Sequence, residues 1–448
     1  MLINLTLSDI AEACGGQLIG ENCVLNAVIT DTRKITSGCV FVALKGERFD
    51  GHDYIGQAVQ EGAVGVVSDR DVDAPNYVKV VDTTLAYGVI ARLIRDAFKG
   101  PVVCITGSNG KTTVKDWLAQ SLTDKNVLKT RANLNNQIGV PQTLLELDAD
   151  HDVAVIEAGT SFTGEIPLLA KIAFPDIVIL TNASGSHFEG LGGIEDIAKE
   201  KGALISGSSP NASIILNADD EYFDYWCSLA GDRQVYSFGF TESADLYVSD
   251  IELSAESSLA VFNYNGGAQS VSIAGAGKHQ IANGMAVVLA MLVMGIDFKQ
   301  AADKLATPVL VSGRLERLKA KNGALLINDC YNASPASVEA AIDVLAIQPV
   351  EETWLILGAL AELGAQRDDI HHGLGVYAKN KGISCLICVG PVASIAGAAF
   401  RSEGGNAIFC NTHNEAATVV RPLDKKHAIL VKGSRSAKME NVIEALIN

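Results

Sequence analysis

Basic charge is scarce in this chain. Against 52 Asp and Glu it carries 35 Lys and Arg, a formal net charge of -17, which excludes general binding to nucleic acid or to anionic lipid. An anionic ligand would need a local basic pocket. Long apolar runs are missing as well: none approaches the length of a membrane span, and the first residues lack the basic stretch that opens a secretory signal. The expected location is therefore cytoplasmic. Among 9 cysteines a single pair, Cys385 and Cys388, has C-x-x-C spacing, and no second pair exists to complete a zinc site. The stretch around that pair, Ser-Cys-Leu-Ile-Cys-Val-Gly, reads as a strand that sends the two side chains to opposite faces, so buried free thiols are expected. There is no internal repeat and no low-complexity linker.

What is present is ordinary globular composition, 48% hydrophobic and 19% charged over 448 residues, a length of about three domains. The pattern divides at 1–98, 99–312 and 313–448. The first segment opens with a capping box, Thr6-Leu-Ser-Asp9, that starts a short helix ending at Gly15-Gly16. Short apolar runs at 40–44, 63–67 and 77–81 follow, and a helix over 84–98 closes a small α/β unit. The second segment alternates strands (102–105, 152–157, 176–182, 213–217) with helices, as a mostly parallel P-loop-type sheet does. A hairpin excursion is predicted over 243–274, then a helix over 281–294. The third segment alternates again: strands at 324–328, 353–357, 385–389 and 428–431, with helices at 335–346 and 438–446. It has no Gly-x-Gly-x-x-Gly after its first strand, so a Rossmann-like fold without a dinucleotide site is expected.

The stretch that organises the chain is Thr-Gly-Ser-Asn-Gly-Lys-Thr-Thr at 106–113. A β-branched strand, a turn bracketed by Gly107 and Gly110, and a helix opening on Lys111 aim unpaired backbone N–H groups and the positive end of a helix dipole at one spot, which favours a phosphate. Lys111 can reach terminal phosphates, and the Thr112 hydroxyl sits where a Mg2+ ligand is needed. A standard phosphate loop has four residues between its glycines. Here Ser108 and Asn109 alone separate them, yet Lys-Thr-Thr follows in the right strand-to-helix context, so the reading is an ATP cradle. Mg2+ takes oxygen ligands, and Glu157, at a strand end on the same rim, is the candidate carboxylate. His187, in a glycine-rich loop after another strand of that rim, is either a metal or phosphate ligand or a surface residue. Lys199 and Lys201, on the helix that follows, read locally as a solvated face. His279 and Asn283 stand one turn apart at a helix start, where the Asn amide could meet a purine edge or cap its own helix. Arg314, Asp329, Tyr331, Asn332, Lys432 and Arg435 lie at or beyond strand ends of the third segment. Arg314 and Lys432 could neutralise phosphate oxygens, and Asp329 could accept from ribose hydroxyls.

Over nearly its whole length the chain resembles the Mur ligases of bacterial cell-wall synthesis. The resemblance rests on Thr-Asp-Thr-Arg at 30–33, Phe-Val-Ala-Leu-Lys-Gly-Glu-Arg-Phe-Asp-Gly-His at 41–52, the cradle itself, and Asn-Leu-Asn-Asn-Gln-Ile-Gly-Val-Pro at 133–141. It continues through His-Phe-Glu-Gly at 187–190, Gly-Lys-His-Gln-Ile-Ala-Asn at 277–283, Gly-Arg-Leu-Glu-Arg at 313–317, Asp-Cys-Tyr-Asn at 329–332, Ala-Glu-Leu-Gly at 361–364 and Val-Lys-Gly-Ser-Arg at 431–435. These motifs are most similar to those of members that add D-alanyl-D-alanine to a UDP-N-acetylmuramoyl tripeptide with ATP. The resemblance implies that the first domain holds the UDP-sugar through Thr30, Asp31, Thr32, Lys45 and Gly46, with Asn135 and Asn136 from the central domain. It implies ATP on Gly107, Ser108, Asn109, Gly110, Lys111, Thr112 and Thr113, adenine at His279 and Asn283, ribose at Asp329, and the γ-phosphate at Arg314. Two Mg2+ ions are implied, one on Thr112 and Glu157 and one on His187, with Lys201 aligned to a lysine that relatives carry as a carbamate. Tyr331 and Asn332 would face the dipeptide, and the protein would act as a monomer. The catalytic set is Lys111, His187, Lys201 and Arg314. Other amino-acid-adding members, or a relative that keeps the fold without the reaction, are the alternatives. Two stretches depart from the family pattern: Thr-Ser-Phe-Thr at 160–163 where Asn-His is common, and Gly-Ala-Leu-Ala-Glu at 358–362 where Asp commonly follows the glycine.

Overall fold

Three large sheets, each fed by its own stretch of sequence, carry the chain, and a two-stranded antiparallel pair, Leu5–Thr6 with Val24–Leu25, stands beside the first. The computed structural model describes residues 2–185, 188–305 and 312–447. The first sheet has five strands in the order Gln17–Ile19, Tyr77–Lys79, Gly65–Ser68, Cys39–Val42, Ala27–Ile29. All its pairings are parallel except the first. The capping box forms as the sequence predicts: Thr6 accepts from the Asp9 N–H while Asp9 accepts from the Thr6 N–H at 2.8 Å, and the helix Leu7–Cys14 stops at Gly15 with φ +60°. Gln17–Ile19 and Ala27–Ile29 escape the sequence pattern. They are edge strands with few buried positions, so neither carries the continuous apolar run that marked their neighbours.

The central sheet has nine strands. From Val127–Lys129 through Val153–Glu157, Val102–Thr106, Ile177–Leu180, Ser213–Asn217 and Val235–Gly239 to Leu246–Leu253, every pairing is parallel. Ser257–Tyr264 and Gly267–Ala274 then add antiparallel. The region 243–274 is thus no excursion: it continues the same sheet. Its alternating Leu246, Val248, Ala260, Phe262, Val271 and Ile273 pack with the buried residues of helix Lys278–Val293, and that shared core holds the extension in plane. Glu157 is level with Ile105, and Leu180 with Thr106, across the neighbouring strands. The carboxyl ends of three strands therefore meet at one rim, where ligands collect in open parallel sheets.

The third sheet runs Glu316–Lys319, Leu325–Asp329, His427–Lys432, Glu352–Leu357, Cys385–Val389, Asn406–Cys410, parallel except for its first pair. The outer strand Glu316–Lys319 is not legible, for the reason already met: Glu-Arg-Leu-Lys at the edge looks like a loop, whereas the opposite edge, Asn406–Cys410, does carry a short apolar run, Ala-Ile-Phe-Cys, that the sequence pattern leaves unassigned. Cys385 and Cys388 point into different cores, one on each face of the sheet, as the strand reading requires, and all nine cysteines are free. Among the described residues no helix is long and apolar enough to cross a membrane. The architecture is α/β with three domains, the middle one a mostly parallel sheet.

Candidate functional site

The glycine turn between the buried strand Val102–Thr106 and the helix Lys111–Ser121 is held rigidly from one side. Two backbone positions need glycine. Gly107 has φ +151°, and a Cβ there would fall 1.9 Å from the Thr181 Oγ1, while Gly110 has φ +86°, and a Cβ would fall 2.4 Å from the Asn283 Oδ1. The segment 181–184 clamps the turn. Ser108 N–H donates to the Asn182 carbonyl (2.9 Å), Asn109 N–H to the Asn182 Oδ1 (3.0 Å), and the Thr181 hydroxyl to the Asn109 carbonyl (2.6 Å). Ser108 Oγ accepts from the Ser184 N–H, and Asn109 Nδ2 donates to the Ser184 hydroxyl. Gly110 brings no side chain to cap the helix, and among the described residues no hydrogen bond engages the N–H groups of Lys111, Thr112 and Thr113, so these keep their donors for a ligand. The Lys111 ammonium curls over the turn onto the Gly107 and Ser108 carbonyls at 2.6 and 3.3 Å. Burial pushes it below the usual lysine range, opposed by the nearby Glu157 and assisted by Arg314.

Glu157 is 3% exposed. Its Oε1 accepts from Asn135 Nδ2 at 2.8 Å, its backbone N–H donates to the Thr130 hydroxyl, and its Oε2 has no hydrogen-bond partner among the described residues. A buried carboxylate oxygen left unpaired is costly, and this one lies at the strand end level with Ile105, near enough to act on the Lys111 charge, where a hard cation would satisfy it. Among the described residues no group of three or more His, Cys, Asp or Glu could by itself hold a metal ion. His187 lies outside the described residues. The Glu157 carboxylate and the Thr112 hydroxyl are oxygen donors of the kind a hard cation takes. Lys201 corrects the solvated-face reading: it is 1% exposed. Burial, and next the Lys111 charge, push its ammonium well below the ordinary lysine range. Lys199 stays exposed and pairs with Glu195 and Asp196. Two residues apart on a helix are about 200° apart, so one faces the rim and the other water. Glu200, between them, accepts from the N–H groups of Gly164 and Ile166 and thereby caps the helix Glu165–Ala173.

The third sheet reaches the cradle directly. Arg314 Nη2 donates to the Thr112 Oγ1 at 2.9 Å, and its guanidinium lies 4.5 Å from the Tyr331 ring centroid. The Ser334 hydroxyl, which caps helix Pro335–Ala346, donates to Asn109 Oδ1 at 2.7 Å. Asp329 is internally engaged, accepting from the Leu315 N–H with Oδ1 and from Lys432 with Oδ2. Lys432 also donates to the Asn332 carbonyl and is 2% exposed, so it is committed to the fold rather than offered to phosphate oxygens. Asn332 itself is exposed. Asn283 abuts Gly110, and Gln280 accepts from its Nδ2 at 3.3 Å. His279, half-buried, has its imidazole pushed down to about 4 by burial.

Of the residues grouped with the UDP-sugar, Asp31 caps the turn Thr32–Lys34 and is forked by Arg33. Thr30 lies beside the Tyr87 hydroxyl, Lys45 is exposed, and Gly46 lies under the Phe49 ring. Asn135 belongs to the cradle's rim through Glu157. Asn136 is a local cap whose Oδ1 accepts from the Ile138 and Gly139 N–H groups. Sequence reasoning overlooked Thr130, Thr181 and Ser334 as partners of this site. The signal for Ser334 was present in the Ser-Pro helix start, but its contact with Asn109 joins distant segments.

The strand, the short glycine turn and the Lys-Thr-Thr helix start, with an unpaired carboxylate and an arginine converging on it, define a phosphate-binding three-domain α/β protein. The chain matches three family descriptions in succession: Mur ligase family, catalytic domain over 25–97; Mur ligase middle domain over 105–291; and Mur ligase, glutamate ligase domain over 313–435. It belongs to the Mur ligase family. It is 37% identical over 452 residues, covering 99% of both chains, to the UDP-N-acetylmuramoyl-tripeptide--D-alanyl-D-alanine ligase of Escherichia coli (strain K12), and 34% identical over 465 residues to the enzyme of the same name from Bacillus subtilis (strain 168), covering 100% of this chain and 99% of the other. Among solved structures it is similar to MurF from Acinetobacter baumannii (TM-score 0.91, 31% identity, 99% of each chain). It is also similar to MurF ligase from Thermotoga maritima in complex with ADP (TM-score 0.85, 29% identity, 94% and 97%).

Proposed function

We infer that this protein joins D-alanyl-D-alanine to a UDP-N-acetylmuramoyl tripeptide at the expense of ATP, the activity named for its full-length relatives. The observation that carries the reading is the rim itself: Lys111, Thr112, Glu157, Lys201 and Arg314 gathered at the strand ends of a chain that aligns end to end with such ligases. The terminal carboxylate of the tripeptide attacks the γ-phosphate, ADP leaves, and the resulting acyl phosphate is attacked by the dipeptide amine, which expels phosphate. Two anions must meet in the first step, so catalysis rests on charge neutralisation and in-line placement rather than on a nucleophilic side chain.

In this reading Lys111 and the N–H groups of Gly110, Thr112 and Thr113 bind the β- and γ-phosphates, Gly107, Ser108 and Asn109 shape the turn around them with the Ser108 and Asn109 N–H groups held by Asn182, and Arg314 turns from Thr112 to the γ-phosphate. Glu157 and Thr112 hold one Mg2+, which supplies neutralisation of the phosphate oxygens, and His187 with carbamylated Lys201 holds a second. The supporting chemistry for Lys201 is its burial, which favours an uncharged amine able to add to carbon dioxide with loss of a proton. Asn283 and His279 border the adenine, Asp329 the ribose, Tyr331 and Asn332 the dipeptide, and Thr30, Asp31, Thr32, Lys45, Gly46, Asn135 and Asn136 the UDP-sugar. The domains span 1–98, 99–312 and 313–448, and the protein works as a cytoplasmic monomer. The test is phosphate release with Mg2+, ATP and a UDP-muramoyl tripeptide, screened against D-alanyl-D-alanine and single amino acids. Release should require the dipeptide, and Lys111→Ala should lose most of the rate while remaining folded. Equal release with a single amino acid, or an intact rate in that variant, would sink the reading.

A further inference from the structure

Arg314 reaches Thr112 from a turn that is unusually well pinned. Gly313 and Leu315 both have positive φ, +73° and +51°, a left-handed conformation that leucine adopts only when its surroundings hold it there. The Glu316 carboxylate holds the turn by accepting from Ser312 Oγ, the Gly313 N–H and Asn328 Nδ2, at 3.0, 3.0 and 2.9 Å. Asp329 accepts from the Leu315 N–H on the other side. The Arg314 turn thus moves as one piece with strand Glu316–Lys319, so whatever fixes that strand against the central sheet also fixes Arg314.

One contact outside the cradle does so. Residues 254–256 form the tip between strands Leu246–Leu253 and Ser257–Tyr264 of the central sheet. The tip is closed on itself: the Ser254 N–H and hydroxyl both donate to the Ser257 carbonyl, and the Gly275 N–H donates to the Glu256 carbonyl. Arg317 Nη1 donates to the Ala255 carbonyl and to Gln348 Oε1, each at 2.9 Å, and Nη2 donates to Glu256 at 3.2 Å. Gln348, 5% exposed, donates from Nε2 to the same Ala255 carbonyl at 3.3 Å and to the Val344 carbonyl at 2.8 Å. The antiparallel extension of the central sheet therefore ends in a carbonyl that two side chains of the third sheet's domain grip together.

We propose that Arg317 and Gln348 are positioning residues, which clasp the 254–256 tip and thereby set the angle at which Arg314 meets the phosphate loop. Neither touches the cradle. Their effect passes through a short rigid chain: tip, Arg317, edge strand, Glu316-pinned turn, Arg314, Thr112. Misplacing a catalytic group by about 1 Å costs on the order of 100-fold in rate, so loosening the clasp should lower kcat without weakening the grip of the first domain on the UDP-sugar. The Glu256 arm is 77% exposed, and exposed ion pairs contribute little.

The proposal rests on Arg314 acting at the phosphates, and the test separates the two ideas. In the full-length enzyme, steady-state phosphate release and melting temperature are measured for Arg314→Ala, Arg317→Ala, Arg317→Lys, Gln348→Ala, Glu256→Ala and the double variant Arg314→Ala/Arg317→Ala. Arg317→Ala should lose about 10- to 100-fold in kcat with an unchanged KM for the UDP-sugar. Gln348→Ala should show the same pattern more weakly, Arg317→Lys should recover part of the loss, and Glu256→Ala should stay within about twofold. The double variant should be no slower than Arg314→Ala, because residues acting through one another are not additive. Additive losses, or an Arg317→Ala enzyme at the wild-type rate beside a slow Arg314→Ala, would overturn the clasp alone. An Arg314→Ala enzyme at the wild-type rate would overturn both.

Discussion

Replacing Glu157 by glutamine should cut activity severely without unfolding the protein, because the carboxylate is held against its own electrostatic cost. It is 3% exposed, one oxygen accepts from Asn135 at 2.8 Å, and the other has no partner among the described residues. A buried polar atom without a partner costs about 1–3 kcal/mol, more when charged. Glu157→Gln keeps the volume and, through its carbonyl, the Asn135 hydrogen bond, while removing the charge. The compensating loss is its attraction for Lys111, yet burial outweighs that attraction in setting the Lys111 proton affinity. The two terms nearly cancel, so the melting temperature should fall by no more than about 2–4 °C, the shift that about 1 kcal/mol produces in a domain of this size. The rate should fall by about 100- to 1,000-fold, the scale for loss of one preorganised electrostatic contact to a transition state. Thermal melts with and without MgATP provide a second readout. Ligand at about 100 times its Kd stabilises by about 2.7 kcal/mol, and the variant should lose most of that gain. A Glu157→Gln enzyme that retains its rate, or that melts far below the wild type with no ligand present, would refute the reasoning.

Two further perturbations follow from the same geometry. His279 titrates at about 4 in the fold, against an ordinary value of 6.5. Below pH 6.5 the unfolded chain therefore takes up a proton that the folded chain does not, and stability declines as pH falls through the window from 6.5 to about 4. Replacing His279 with glutamine should shrink the difference in melting temperature between pH 7 and pH 5, and an unchanged difference would count against burial of that imidazole. Gly110→Ala places a methyl group 2.4 Å from the Asn283 Oδ1 at φ +86°. The left-handed backbone alone costs about 1–2 kcal/mol, and Asn283 must move, so the KM for ATP should rise at least about tenfold while that for the UDP-sugar stays constant. Equal effects on both would show that the damage is not confined to the cradle.

The sequence by itself determined the pieces whose physics is local. Apolar runs buried on both faces marked the inner strands, Thr6 and Asp9 marked a helix start, and the glycine turn with Lys111 marked a phosphate site. Edge strands such as Glu316–Lys319 stayed hidden, since an edge exposed to water needs no apolar run. Only the tertiary structure decided how side chains with ordinary local surroundings were to be used. It buried Lys201 while leaving Lys199 in water, and it spent Lys432 on Asp329. It also drew Asn135 to Glu157 and set Arg317 on a hairpin tip 61 residues away. Burial and long-range pairing depend on which surfaces meet, and no local pattern carries that information.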